Sequence, residues 1–427
     1  MSVHADLPVV VPPLSERLNR ECTCVTLDRD ALCAALEREA GDPEFCATLL
    51  RTRPHLFSNA SVFLSQGQVA AMQRAVHAIE SVARMPEYHD AVLERSPEIA
   101  RRDFGPHGAF MGYDFHLAHE GPRLIEINTN AAGALLNAVL ARAQHACCSP
   151  MMAGLRLTEA QDFDAAVVRM FEREWRLQRK EGAPRLVAIV DDAPEEQVFY
   201  PEFVIAQRLL GRHGMDAVIA EARALRFEGG LLRFEGRNID LVYNRLVDFA
   251  FEQPEHAALR AAYLAGAAVV TPSPRVHALF ADKRNLALLS DRALLRSWGV
   301  PPPTLAELAC VPRTVRVTAA NAQQLWRDRK KLFFKPSAGY GGKAVYRGDR
   351  MTHKVWDAIQ RGEYVAQEYT APSERVVDVD GAPVIRKTDV RLYVYDGDLL
   401  LTAARLYEGQ VTNFRAPGSG FAPVFVV

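Results

Sequence analysis

Apolar positions recur at helical spacing through residues 13 to 100 of the chain. "DRDALCAALEREA" and "SQGQVAAMQRAVHAIESVARM" carry them at i, i+3 and i+4 and predict helices, the second with Ser65 as its N-cap. The period falls to two over residues 109 to 128, where "FMGYDFHLA", "HEG" and "PRLIEIN" predict strand, turn and strand. Helical spacing returns in "AGALLNAVLARAQHACC" and continues to about Leu177, before a linker, "RLQRKEGAP". The apolar run "RLVAIVDD" predicts a buried strand, "YPEFVIAQRLLGRHG" a helix, and "DAVIA" and "LLRFEGRNIDLVYNRL" further strands. That alternation predicts a small parallel-sheet α/β unit over residues 184 to 278. "HALFADKRNLALLSDRALLRSWGVPPP" reads as helical up to Gly299. From Lys331 the chain is strand-rich, in "KLFFKP", "KAVYRG", "EYVAQEY" and "TDVRLYVYDGDLLLTAARLY". The fold class expected is α/β (α+β).

Length and charge narrow the function. At 427 residues the chain can bury two or three cores. Lys and Arg number 51 against 52 Asp and Glu, a net charge of −1, which argues against nucleic acid or an anionic membrane as partner. An anionic ligand must therefore be gripped by a local cation cluster. "MSVHADLPVVVPP" lacks the basic-then-apolar pattern of a signal peptide, and no apolar run reaches bilayer length, so a cytoplasmic protein is expected. Among seven cysteines, the pairs Cys22/Cys24 and Cys147/Cys148 have no second pair at zinc spacing; ordinary buried or free thiols are expected. No H-E-x-x-H or G-x-S-x-G is present.

Four stretches carry candidate chemistry. A hairpin turning at Glu120 sets residue i opposite 240 − i, so Asp114 faces Glu126 and shares a face with Asn128. Opposed Cβ atoms lie about 5 Å apart, and three hard oxygen donors suit Mg²⁺. A solvent-facing strand with an Asn-rich cap fits the same residues. His116, on that face too, reads as packed beside the site. In "KLFFKPSAGYGGKAVYRG", Gly339, Gly341 and Gly342 lie between two strands, unlike a Walker A loop. Such a hairpin can close over phosphates, with Lys335 and Lys343 flanking, or be a plain turn. "EYVAQEYTAPSE" offers Gln367, Glu368 and Tyr369 as a hinge for an adenine edge, or an ordinary edge strand. "KTDVRLYVYDGDLLLTAARLYEGQVTNFRAPGSG" places Asp389, Arg391 and Arg405 in apolar strands and Asn413 and Arg415 in a glycine-rich exit. Arginines so placed suit bidentate grip on phosphoryl or carboxylate oxygens; a cross-strand salt bridge is the plainer reading of Asp389 and Arg391. Asn244 and Arg245, past a strand end in "DLVYNRLVDF", are substrate candidates.

Together with Lys283 in "ADKRNLALL", these motifs resemble the ATP-grasp superfamily of carboxylate–amine ligases. The segment from Asp389 onward looks like glutathione synthetase. The metal hairpin, last in that superfamily, here precedes the arginine strands. That order resembles the circularly permuted synthetase half of glutathionylspermidine synthase. The resemblance covers about residues 109 to 140 and 184 to 420, and it implies a division of the chain. Residues 1–108 form a mostly helical N-terminal region and 109–180 the permuted C-terminal part of the ATP-grasp domain. Residues 184–278 form a small pre-ATP-grasp domain and 279–427 the nucleotide-binding part. It implies a ligase using ATP and one or two Mg²⁺ ions on Asp114, Glu126 and Asn128. Lys283, Lys335 and the glycine loop would hold phosphates, Arg391 and Arg405 the transferring group, Asp389 the ribose, and Glu368 with Tyr369 the adenine. Substrates would be a small-molecule carboxylate and amine or a short peptide; a homodimer, or a partner encoded in the same pathway, is compatible. The alternatives are an ATP-grasp kinase acting on a hydroxyl and a non-catalytic nucleotide-binding scaffold.

Overall fold

The hairpin expected near residue 120 forms as Met111–Ala118 and Gly121–Asn128, at one edge of an eight-stranded sheet. The computed structural model describes residues 12–144, 156–157, 162–339 and 342–427; Cys147, Cys148 and Gly341 lie outside the described residues. From the hairpin the sheet continues through Ala382–Tyr395, Asp398–Tyr407 and Gly420–Val426 to Val62–Leu64. Ser373–Val379 also pairs with Ala382–Tyr395. The hairpin and the arginine-bearing strands are thus neighbours, with Asp114 opposite Arg391. Val62–Leu64 pairs parallel with Gly420–Val426, a strand within the mostly helical region that the sequence did not mark. Three apolar residues are too few to show a period.

The hairpin register follows the expected sum of 240 from Gly112↔Asn128 to Asp114↔Glu126. Beyond Asp114 it is one residue off, running from Phe115↔Leu124 to Ala118↔Gly121. Ile125 is the extra residue of a β-bulge, a device that re-aims backbone groups.

Alternation sends successive strand residues into different cores. Tyr113, Phe115 and Leu392 pack with Met72 and Ile79 of the helix Gln66–Ala83. That helix starts in a full capping box between Ser65 and Gln68. Tyr393 and Leu401 face the other way, against the helix Ala134–Arg142. A second sheet, all parallel, runs Val269–Thr271, Leu241–Asn244, Leu186–Asp191, Asp216–Glu221. A third is antiparallel: Thr314–Arg316, Tyr364–Glu368, Leu332–Pro336 and Tyr346–Arg347, over a small core of Phe334, Trp356 and Ile359.

Three expectations need correction. The helix expected up to Gly299 is broken into a π-turn, His277–Ala281, and two helices, Arg284–Ser290 and Arg292–Ser297. Asp291 turns extended and caps the second through the N–H groups of Ala293 and Leu294. Lys283 therefore sits at a helix start. The helix Phe163–Arg179 extends into the expected linker. Cys33 and Cys46 are disulfide-bonded rather than free, because the helices Arg29–Ala40 and Phe45–Thr52 bring their Cα atoms to 5.1 Å. Cys22, Cys24 and Cys310 are free thiols. Among the described residues, no helix is long and apolar enough to cross a membrane.

Glu174, fully buried, joins the pieces. It accepts from the N–H groups of His107 (2.8 Å) and Gly108 (3.0 Å), from Tyr395 Oη (3.0 Å) and from Thr271 Oγ1. Removing it strands four donors, each costing about 1–3 kcal/mol when buried and unpaired. Glu174→Ala should lower the urea midpoint strongly. Glu172→Ala, which loses only an exposed pair with Arg176, should barely move it. Similar midpoints for the two variants would contradict Glu174's role as the anchor.

Candidate functional site

Strand pairing places Asp114 opposite Arg391 and Asp389 opposite Arg405. Arg391 grips both oxygens of Asp114, Nε at 2.6 Å and Nη2 at 2.7 Å. Arg405 Nη2 adds a third contact at 2.8 Å, and Asn128 Nδ2 donates a fourth at 3.1 Å. Burial alone would raise the Asp114 pKa, but Arg391 and then Arg405 outweigh it and hold the carboxyl at about 2. The same contacts push the Arg391 pKa up against its own burial. Gly112 leaves room for this: a Cβ there would sit 2.6 Å from Ala131 Cβ and 3.3 Å from Arg391 Nε.

Lys335 Nζ donates to Gln367 Oε1 at 2.8 Å and to the Ile125 carbonyl at 2.7 Å. That carbonyl belongs to the bulge residue, so the irregularity in the hairpin makes the acceptor. Burial lowers the Lys335 pKa to about 8; Glu126 opposes the shift and Lys283 adds to it. Lys283 pairs with Glu126 at 3.1 Å and donates to the Gly339 carbonyl at 2.8 Å. Burial would raise the Glu126 pKa, but Lys283 and Lys335 bring it below the usual value.

These groups line one open cavity of about 840 Å³. Asp114, Glu126, Asn128, Arg391 and Arg405 come from the large sheet. Lys335 and Gln367 to Tyr369 come from the third sheet and its strand end, Gly339, Gly342 and Lys343 from the loop between its strands Leu332–Pro336 and Tyr346–Arg347, and Lys283 from the helix start. Arg245 and Asn413 also line it. Three expected residues do not. Asp389 is fully buried, with its oxygens taken by Arg405 Nε (2.6 Å) and Thr412 Oγ1 (2.6 Å), so it aligns Arg405 and cannot reach a ribose. Asn244, also buried, is spent on the Pro272 carbonyl and the Leu246 N–H. Arg415 is exposed outside the cavity. The plainer reading of Asp389 and Arg391 is what forms: each makes a cross-strand salt bridge, Asp389 with Arg405 and Arg391 with Asp114.

The hinge differs in detail too. The N–H groups of Glu368 and Tyr369 are already bonded, at 2.8 Å each, to the carbonyls of Arg313 and Lys331. What faces the cavity includes Gln367, whose buried Nε2 has no hydrogen-bond partner among the described residues, and Tyr369. Arg347 lies 4.3 Å over the Tyr369 ring and Phe333 stacks beside it at 6.1 Å. Neither was singled out from the sequence. Phe333 shares a strand face with Lys335, which was a usable signal; nothing marked Arg347.

The donor set allows a divalent cation only in part. Among the described residues, no three His, Cys, Asp or Glu converge. Glu126 and Asn128, two apart on one strand, both line the cavity, and Asn128 spends its amide nitrogen on Asp114, which leaves its carbonyl oxygen for a ligand. Two protein oxygens plus phosphates and water suit Mg²⁺. Asp114 is committed to its arginines, which corrects its place as an equal ligand. His116 bonds the Thr370 carbonyl through Nδ1 at 2.8 Å, a packing partner at the cavity wall, as expected.

No protein-family model and no curated relative matches the chain. Among solved structures it is similar to a glutathione synthetase-like effector from Globodera pallida, in its apo form. Identity is 12%, 94% of this chain and 99% of that one are covered, and the TM-score is 0.55. A putative γ-glutamylcysteine synthetase from Methylobacillus flagellatus matches at 11% identity, 84% and 87% coverage and a TM-score of 0.46. The ATP-grasp ligase PsnB, complexed with a minimal precursor, matches at 16% identity, 53% and 77% coverage and a TM-score of 0.30. The first of these is a likeness of fold along nearly the whole chain. The fold is α/β.

The Asp114 cluster has a pH signature. A carboxyl held at about 2 when folded, against about 3.9 unfolded, adds stability above pH 4 that is lost as pH falls toward 2. In urea titrations, wild type should exceed Asp114→Asn in stability at pH 7, and the gap should shrink by about 2 kcal/mol between pH 4 and pH 2. A gap unchanged with pH would contradict the ion cluster.

Proposed function

We propose that this chain is an ATP-dependent carboxylate–amine ligase, an ATP-grasp protein in circularly permuted order. One observation carries the reading: Lys283, Lys335, Arg391 and Arg405 meet Glu126 and Asn128 in a single cavity, although Lys335 and the Ile125 carbonyl that it bonds are 210 residues apart. The chain's net charge is only −1, so this local cluster supplies what a polyphosphate needs. Permutation is supported by the hairpin, which lies against strands far later in the chain, and is tolerated where original termini lie together at a surface. The proposed division of the chain, at residues 108, 180 and 278, follows from that reading.

In this account the γ-phosphoryl group passes to an oxygen of the substrate carboxylate and forms an acyl phosphate. The amine then attacks the acyl carbon, and phosphate leaves. Positioning and charge neutralisation are the protein's task. Lys283 and Lys335 turn from their present acceptors to the phosphates beneath Gly339 and Gly342. Arg391 and Arg405, held in place by Asp114 and Asp389, present their remaining N–H groups to the transferring group. Mg²⁺ on Glu126 and Asn128 would neutralise charge between the phosphates. The base rests at Tyr369 and Phe333, where Gln367 Nε2 offers an unused donor.

Lys335→Ala should weaken binding of ATP with Mg²⁺ by tenfold or more in calorimetric titration, whereas Lys330→Ala, an exposed neighbour, should change it less than twofold. Glu126→Ala should keep the fold and lose phosphate release, measured with ATP, Mg²⁺ and a panel of amino acids, short peptides and polyamines. Equal losses for the two lysines would place the nucleotide elsewhere.

A further inference from the structure

The parallel sheet reverses the direction of its connections between two adjacent strands, Leu186–Asp191 and Leu241–Asn244. The first leads outward one way, through the helix Tyr200–Arg212 on one face. The second leads the other way, through Ala257–Leu264 on the opposite face. Such a switch point opens a crevice at the carboxyl ends of the two strands, where open α/β sheets bind ligands. Here those ends carry Asp191 and Arg245, and both line the cavity.

The two charges sit on neighbouring strands, about 5 Å apart in the backbone, yet make no ion pair with each other. Arg245 is 6% exposed. Its Nη1 donates to Tyr243 Oη at 3.1 Å, while the buried Nε has no hydrogen-bond partner among the described residues. Buried Glu202 feels the charge of Arg245 but spends its oxygens on the N–H groups of Gly133 and Leu135. Among the described residues Asp191 accepts only the N–H of Asp192, and burial pushes its carboxyl up to about 6 although Arg245 and His256 pull the other way without bonding it. Its neighbour Asp192 differs, because His256 bridges it to Asp248 at 2.9 and 2.7 Å. Apolar groups wall the crevice: Phe199, Phe249 and the exposed Val198 and Val247. Asn130 ties this end to the phosphate end, donating to the Arg245 carbonyl at 2.7 Å.

We propose that this crevice binds the amine substrate as a zwitterion, a free α-amino acid with a large apolar side chain. Arg245 takes its carboxylate, Asp191 its ammonium, and Phe199 and Phe249 its side chain. The substrate completes the ion pair that the two residues do not make with each other. The inference rests on the ligase reading for the fate of the amine, while the binding geometry is tested separately.

The probe is L-phenylalanine, titrated calorimetrically into wild-type protein with and without Mg²⁺ and a non-hydrolysable ATP analogue. L-Phenylalaninamide, which lacks the carboxylate, and N-acetyl-L-phenylalanine, which lacks the ammonium, should each bind about tenfold or more weakly, and glycine should be weaker than L-phenylalanine. Asp191→Asn should weaken L-phenylalanine and leave the N-acetyl compound unchanged; Arg245→Lys should weaken L-phenylalanine and leave the amide unchanged. These comparisons use folded wild type first, so a misfolded variant does not decide the matter. If L-phenylalanine fails to bind while the nucleotide analogue binds, the inference falls and the ligase reading stands. If either blocked compound binds as well as L-phenylalanine, the bipolar subsite is wrong. If L-phenylalanine binds but the analogue does not, the subsite stands and the ligase reading falls.

Discussion

A carboxylate removed from water must be given cations, or it protonates. Asp114 is 1% exposed and receives two, from strands far away in sequence. Arg391 and Arg405 can reach it only if Met111–Ala118 lies beside Ala382–Tyr395 in one register. A slip of one residue would turn Asp114 to the opposite face and leave it and Arg391 buried without each other, while Arg405 would keep only Asp389. Breaking such a pair costs about 3–5 kcal/mol, far more than an exposed ion pair contributes. This cluster therefore fixes the register of the sheet, and the register fixes where Glu126 and Asn128 point.

The same logic organises the cavity. The four cations of the proposed phosphate end already have acceptors: Asp114 for the two arginines, Glu126 for Lys283, and Gln367 with a bulge carbonyl for Lys335. Such pairing lets several cations converge inside a nearly neutral chain. It also leaves part of each group's bonding capacity facing the cavity. A polyphosphate competes for the lysines, whose present partners are a carboxylate, an amide and backbone carbonyls. It need not displace Asp114, whose contacts keep both arginines aimed.

Much of this was legible in the sequence, and the exceptions have physical causes. The hairpin showed because a two-residue period and the Asp114–Glu126–Asn128 spacing together determine which side chains share a face. The bulge did not show: Ile125 is one apolar residue among several, and only the three-dimensional ladder reveals that it is unpaired. Asp389 was expected at a ribose only through the family resemblance, while the strand pattern alone said that a polar residue there must have a partner. Whether that partner is a ribose or Arg405 depends on cross-strand register, which no single strand encodes. Arg245 was found from its place after a strand end; Asp191, at the end of the adjacent strand, was passed over because an Asp there also reads as an ordinary strand stop. The disulfide between Cys33 and Cys46 depends on how two short helices meet.

The central claim is that two segments distant in sequence, the hairpin and the Lys335 loop, close on one nucleotide. Hydrogen exchange tests it most directly, with the wild-type protein in Mg²⁺ and a non-hydrolysable ATP analogue. Both Gly121–Asn128 and Leu332–Pro336 should exchange more slowly when the analogue is present, and removing Mg²⁺ should relax the hairpin more than the lysine strand. Slowing confined to one of the two, or to neither, would contradict the account.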